Sequence, residues 1–124
     1  MLKLLAPRAE LYRESFDAYL NKLPDAIRVN WFRDGDFIIG KVETDDGTSF
    51  MTQAKNSDEF VAMVNDALFA VYGIPKDYFE VLMAAKKFLP KREEFEKLQD
   101  ASVRESTMGF VKKELKTSIS DPHS

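Results

Sequence analysis

Two Asp-Gly turns separate three short segments with the composition of β-strands, and no other feature of this sequence constrains the fold as strongly. The segments, residues 27 to 32, 37 to 43 and 48 to 53, are rich in β-branched and aromatic side chains, and the first has a period of two. Asp34-Gly35 and Asp46-Gly47 are dipeptides that tight hairpin turns favour. The pattern predicts three consecutive strands that form an antiparallel β-meander.

Amphipathic helices are predicted on both sides of the meander. Residues 8 to 23 carry apolar side chains at steps of three and four, which places them on one helical face. Residues 57 to 72 repeat this pattern between clearer boundaries, since Asn56 suits an N-cap, Glu59 can reach back to it, and Gly73 ends the helix. We expect this second helix to pack on the meander.

The apolar pattern stays helical beyond Pro75. Residues 78 to 89 carry apolar side chains at helical spacing as far as Pro90, which predicts a third helix. In residues 92 to 115 the pattern continues, and Ser102 to Glu105 repeats the capping-box spacing. We expect either one broken helix or two short helices there.

These elements predict an α+β fold with an N-terminal helix, a three-stranded antiparallel β-meander packed by an amphipathic helix, and C-terminal helices. Residues 1 to 75 form the predicted α-β-β-β-α core domain. Residues 76 to 116 form a predicted helical extension, either packed on the core or used for oligomerisation. Residues 117 to 124 are polar and form a predicted flexible tail.

The composition limits the compartment and the partners. A net charge of -3 and a pI near 5.2 give no general attraction to nucleic acid or to anionic membranes. The absence of cysteine fits a reducing cytosol. Residues 1 to 7 are mostly apolar, but Arg8 and Glu10 end this stretch before a signal-peptide core or a membrane span can form. We therefore predict a cytoplasmic protein.

The side chains that usually carry catalysis are scarce. The one histidine, His123, lies in the predicted flexible tail, so we expect no Ser-His pair. A single histidine and the absence of cysteine also exclude a Cys-His pair and a multi-His metal site within one chain. The five glycines lie singly, which argues against a phosphate-binding loop. The acidic pairs Asp34/Asp36 and Asp45/Asp46 could bind a divalent cation or perform acid–base chemistry, but the adjacent glycines favour turns. The sequence predicts no enzyme, cofactor or metal, and an enzyme would have to use carboxylates, Lys or Tyr.

Adjacent aromatic residues in the first strand suggest an interaction surface. Trp31 and Phe32 point to opposite faces of a sheet, so one of them belongs to the core. The other would lie on the outer sheet face with Phe37 or Ile39. That face is either a partner interface or is covered by the terminal helices. The predicted partner-binding residues are therefore Trp31, Phe32, Phe37 and Ile39.

Basic residues accumulate late in the chain. Residues 76 to 116 contain ten Lys and Arg against eight Asp and Glu. Short capped helices there could form a helix-turn-helix that reads a DNA groove, although so mixed a pattern is also typical of a solvated face. The predicted DNA-binding residues are Arg104, Lys112, Lys113 and Lys116.

Three short stretches carry a family resemblance. They read Phe50-Met51-Thr52-Gln53-Ala54, Ser57-Asp58-Glu59-Phe60-Val61 and Asn65-Asp66-Ala67-Leu68. A β-hairpin, a third strand and a capped helix with an acidic start and a mid-helix Asn, in this order, resemble the HicB-like antitoxin family. The resemblance spans residues 27 to 75 of the 124. The family pattern differs in having a Pro-rich loop where this chain has the turn at residues 44 to 47, and in having a strand after the helix.

The resemblance implies a non-catalytic binding module. Such a protein oligomerises through its sheet or a following element and sequesters a small toxin that cleaves RNA. It also leaves open a DNA-binding appendage that regulates transcription, or an orphan without a toxin.

Two alternatives remain. One is a small acidic dimeric chaperone of the type that serves secreted effectors, which also combines an N-terminal helix, a β-meander and further helices. The other is a DNA-binding regulator that uses residues 76 to 116.

Overall fold

The described chain contains four α-helices, one 3-10 turn and five β-strands. The computed structural model describes residues 17 to 114, without the side chains of residues 84 to 86, 113 and 114. The elements in chain order are α1 (residues 17 to 22), β1 (Ala26–Asp34), β2 (Phe37–Thr44), β3 (Ser49–Ala54), α2 (Ser57–Val71), a 3-10 turn (Lys76–Tyr78), α3 (Phe79–Ala85), β4 (Lys86–Pro90), α4 (Arg92–Gln99) and β5 (Glu105–Glu114). Within the described range, the helices lack the combination of length and apolar character that a membrane crossing requires.

The predicted meander forms as strands β1 to β3. Gly35 and Gly47 lie in its two turns with φ angles of 61° and 88°, which residues with a Cβ rarely adopt. The antiparallel register runs from Ile27 opposite Thr44 to Asp34 opposite Phe37 in the first hairpin. The α+β class and this part of the sheet are confirmed. The predicted N-terminal helix is present over residues 17 to 22, and its first half lies outside the described residues.

The sheet has five strands rather than three. Its order is β3-β2-β1-β5-β4, with every neighbouring pair antiparallel. The prediction of a helix over residues 102 to 115 is wrong, because β5 lies between β1 and β4. The capping-box interpretation fails locally as well, since the amide and hydroxyl of Ser102 both donate to Asp100 Oδ1 and form a turn there. Helix α4 is confirmed, whereas the C-terminal end of the predicted third helix is the strand β4.

Helix α2 seals one face of the sheet. Its N-cap forms as predicted, since Asn56 Oδ1 accepts from Glu59 N at 2.8 Å. Glu59 reaches back one residue beyond the cap, where its Oε1 accepts from Lys55 N at 2.7 Å. The helix places the fully buried Phe60 ring against Gly40, where a Cβ would lie 2.4 Å from the ring Cζ. Gly40 therefore marks a close approach between helix and strand. The buried large apolar strand side chains on this face are Ile27, Val29, Trp31, Ile38, Val42, Phe88, Met108 and Phe110.

The edge strand β4 is held by a side chain of α2. Asn65 is fully buried. Its Oδ1 accepts from Phe88 N at 2.8 Å, and its Nδ2 donates to Phe88 O at 2.9 Å and to Val61 O at 2.9 Å. The carboxamide thus occupies the place of a neighbouring peptide group and satisfies the outer side of β4 at this position.

Candidate partner-binding surface

The face of the sheet opposite α2 is exposed, and we call it the open face. Alternation along β1 and β2 divides the side chains between the two faces. Trp31 is 2% exposed on the inner face, whereas its neighbour Phe32 is 42% exposed on the open face. The open face carries Arg28, Asn30, Phe32 and Asp34 from β1, Phe37, Ile39, Lys41 and Glu43 from β2, Ser49, Met51 and Gln53 from β3, and Glu105, Thr107, Gly109 and Val111 from β5.

An apolar cluster lies at one end of the open face. It comprises Phe32, Phe37, Ile39 and Met51. Phe32 stands directly opposite Ile39, Phe37 is on the same side of β2 as Ile39, and Met51 is diagonal to Ile39 on β3. Phe37 is 38% exposed and Met51 is 57% exposed. A shallow cavity of about 470 Å³ between Phe32, Met51 and Lys41 opens onto this cluster.

Carboxylates border the apolar cluster. Glu105 is the β5 neighbour of Phe32, and Asp34 is paired with Phe37 across the first hairpin. Asp36 lies in the same turn, and all three acidic residues are exposed. The end of the sheet where the first hairpin turns therefore carries three exposed carboxylates beside the cluster.

A polar strip crosses the middle of the open face. Thr107 Oγ1 donates to Asn30 Oδ1 at 2.7 Å, and Asn30 Nδ2 donates to Glu43 Oε1 at 3.3 Å. Lys41 Nζ lies 4.0 Å from Glu43 Oε2. Beyond the strip, a groove of about 670 Å³ runs past Arg28 and Glu43 to Lys91 and Glu94 at the start of α4. The strip separates the apolar cluster from Val111, which is 53% exposed.

The structure divides the predicted partner-binding residues. Phe32, Phe37 and Ile39 lie together on the open face, whereas Trp31 is a core residue whose ring lies 5.4 Å from the Arg33 guanidinium. Met51 was not among the predicted residues. It lies in β3 two residues from Gln53, the partner of Ile39. Once the β2–β3 register is known, this position places Met51 in the cluster.

The predicted DNA-binding residues do not form one surface. Lys112 points inward with a side-chain exposure of 12%, and its Nζ donates to Leu20 O at 3.1 Å and to Leu23 O at 3.3 Å. It therefore caps the end of α1. Arg104 is exposed just before β5. Lys116 and the side chain of Lys113 lie outside the described residues, and the second helix expected for a helix-turn-helix does not form.

The acidic pair in the second turn has a structural role. Asp46 accepts hydrogen bonds from Thr44 Oγ1, from Thr48 N at 3.1 Å and from the Tyr72 hydroxyl at 2.9 Å. The bond from Thr44, followed by those from Thr48, holds the pKa of Asp46 well below its usual range. Burial, together with the charge of Asp46, raises the pKa of Tyr72. This supports the turn interpretation of the pair.

Residues 17 to 114 contain no group of three or more His, Asp or Glu side chains arranged to hold a metal ion. The open face, with its apolar cluster and the carboxylates beside it, is the candidate surface. Comparison of the chain with protein-family models, with curated proteins and with solved structures gives no match in any of the three.

Proposed function

We propose that this protein is a non-catalytic binding module that holds a small basic protein on its open face, in the manner of a HicB-type antitoxin that sequesters a toxin ribonuclease. The observation that carries the proposal is the apolar cluster. Phe32, Phe37 and Met51 are each more than a third exposed and lie side by side on one face of the sheet.

The apolar cluster favours a protein partner. Contiguous exposed apolar side chains rimmed by polar groups are typical of interaction sites, and aromatic residues are enriched among the contacts that dominate binding energy. Covering the cluster would contribute about 25 cal/mol for each Å² of apolar surface removed from water. The sheet backbone behind the cluster is fixed by ladders on both sides of β1 and β2, so binding would order few new groups.

The charge around the cluster favours a basic partner. Asp34, Asp36 and Glu105 border it, and the whole chain carries a net charge of -3. Lys41 lies within the same area, but Glu43 is 4.0 Å from it. Complementary charge on a small basic ribonuclease would accelerate encounter and orient the complex.

The position of the elements supports the resemblance to the antitoxin family. The stretch from Phe50 to Ala54 is the strand β3, and the stretch from Ser57 to Val61 begins the capped helix α2. Strands follow this helix, as they do in the family pattern, although α3 precedes the first of them. The mid-helix Asn65 binds the backbone of that following strand.

The test is co-expression with a small basic ribonuclease encoded beside this protein. We expect a stable complex and loss of RNA cleavage. Phe32→Ser and Phe37→Ser should each weaken the complex and restore cleavage, because both remove large side chains from the cluster. Val81→Ser is the matched control, since Val81 is 39% exposed on α3 and lies outside the open face. Failure to recover the ribonuclease, or equal losses in the control, would contradict the proposal.

A further inference from the structure

The two edges of the sheet differ in how their outer sides are occupied. On β4, the peptide groups of Phe88 bind the Asn65 side chain. On the other edge, β3 pairs with β2, and within residues 17 to 114 no second strand pairs with β3. The side chains of Ser49, Met51 and Gln53 at this edge are exposed. The edge at β3 is therefore accessible in the described part of the chain.

The ladder between β2 and β3 determines which peptide groups of β3 face outward. Thr44 N donates to Thr48 O at 2.9 Å across the second turn. In an antiparallel pair, residues alternate between bonding the neighbouring strand and pointing away from it. Phe50 and Thr52 therefore bond β2, whereas Ser49, Met51 and Gln53 direct their N–H and C=O groups to the free edge.

The sequence of β3 lacks the devices that usually block an edge strand. Natural proteins protect such strands with charged side chains, proline or bulges. The other edge strand, β4, follows this rule, because it contains Lys86, Lys87 and Pro90. Strand β3 reads Ser-Phe-Met-Thr-Gln-Ala and contains neither a charge nor a proline. An unprotected edge of this kind is suited to pairing with another strand.

We propose that two copies of this chain associate through their β3 strands, antiparallel and with Met51 opposite Met51 of the second copy. This register keeps the open faces of both copies on the same side of a continuous sheet. It also pairs Ser49 with Gln53 of the second copy, so that all outward peptide groups of β3 bond and about six hydrogen bonds form. A shift of two residues toward Lys55 would lose bonds, because Lys55 N already donates to Glu59 Oε1.

The charges at the two ends of β3 are complementary in this register. Lys55 of one copy lies opposite Gly47 of the second copy, beside the exposed Asp45. Within the described residues neither Lys55 nor Asp45 has an ion-pair partner of its own. Two-fold symmetry brings the same pair together twice, once at each end of the joint ladder. The association does not depend on the partner protein proposed above.

The first test removes one outward peptide group. Met51→Pro eliminates the N–H that the second copy would bind, and the ladder to β2 survives because that N–H points away from it. Sedimentation equilibrium on the wild-type chain from about 1 to 500 μM should show a monomer–dimer equilibrium, since an interface of this size is at the weak end of specific contacts. The variant should stay monomeric throughout, with an unchanged circular dichroism spectrum. A wild-type chain that stays monomeric over this range would overturn the proposal.

The second test uses reversed charges and leaves the backbone intact. In a homodimer of the Lys55→Glu variant, two negative charges face each other at both ends of the joint ladder. In a homodimer of the Asp45→Lys variant, two positive charges do so. A mixture of the two variants forms heterodimers in which both ends carry opposite charges again. We expect the heterodimer to form about tenfold more tightly than either homodimer at low salt, and this preference to fall as salt is added. Equal association of the mixture and of the separate variants would show that the register is wrong.

Discussion

The inner and open faces of the sheet are built from the same strands but differ in how much of their large side chains solvent reaches. Trp31 and Phe32 are neighbours in β1, yet Trp31 is 2% exposed on the inner face and Phe32 is 42% exposed on the open face. On the inner face, the large side chains are buried in the core. The open face keeps a smaller set of large side chains in contact with solvent, and this difference separates the residues that stabilise the fold from those available for a partner.

The largest expected difference between the faces comes from truncating the two neighbouring aromatic residues. Trp31→Ala should reduce the free energy of unfolding by about 4 kcal/mol, because it leaves a cavity in the core. Phe32→Ala should change it by less than about 1 kcal/mol, because its side chain is already partly hydrated. Urea denaturation of both variants measures the contrast. Similar losses in the two variants would mean that the faces are not distinct.

A second contrast uses two asparagines. Asn65→Leu leaves the buried N–H and C=O of Phe88 without partners, so we expect a loss of about 3 kcal/mol in the free energy of unfolding. Asn30→Leu removes bonds to Glu43 and Thr107 on the open face, where water can replace them, and should cost less than about 1 kcal/mol. Amide exchange should show faster opening of Phe88 in the first variant, with no such change in the second.

A third contrast uses two strand glycines. Gly40→Ala would place a Cβ 2.4 Å from the Phe60 ring, and the required shift should cost about 2 kcal/mol. At Gly109, on the open face, a Cβ meets nothing closer than Ile27 O at 3.9 Å. Gly109→Ala should therefore leave stability unchanged or raise it by up to about 1 kcal/mol. Thermal denaturation distinguishes the two, and a destabilised Gly109 variant would contradict the assignment of that position.

The smallest expected effect concerns Asp46 in the second turn, which is exposed but bound by hydrogen bonds within the turn. The pKa of Asp46 is lowered in the folded state, chiefly by the hydrogen bond from Thr44. Its contribution to stability is therefore fully present above the unfolded pKa, near 3.9, and is lost as the pH falls toward the folded value. Asp46→Asn should weaken the fall in stability below about pH 4. Urea denaturation of this variant and of the wild type at several pH values measures the difference.

The local elements with clear boundary signals were predictable from sequence. Asp-Gly turns defined the meander, and Asn56 with Glu59 defined the start of α2, because each signal acts within a few residues. Strand β5 was not predictable in this way. Met108 and Phe110 alternate with exposed positions as a strand requires. However, this alternation becomes a reliable sign of a strand only once β1 is known to pair with it, and β1 lies far away in the sequence.

The candidate site was predictable where alternation alone determines a face. Phe32 and Ile39 fall on the open face for that reason, and Trp31 falls on the inner face. Placing Met51 in the apolar cluster also required knowledge of the β2–β3 register. The orientation of Lys112 could not be anticipated, because its inward position depends on β5 passing beside the end of α1 and on the carbonyl groups of Leu20 and Leu23.

The insertion of β5 between β1 and β4 has a consequence for synthesis of the chain. Ala26 pairs with Val111, so the contact that completes the centre of the sheet joins positions at opposite ends of the described chain. A nascent polypeptide that has emerged no further than residue 104 would present β1 as a bare edge. High contact order of this kind slows folding. The sheet is thus completed late. Until β5 pairs with β1, the exposed edge of β1 can pair with a strand of another chain.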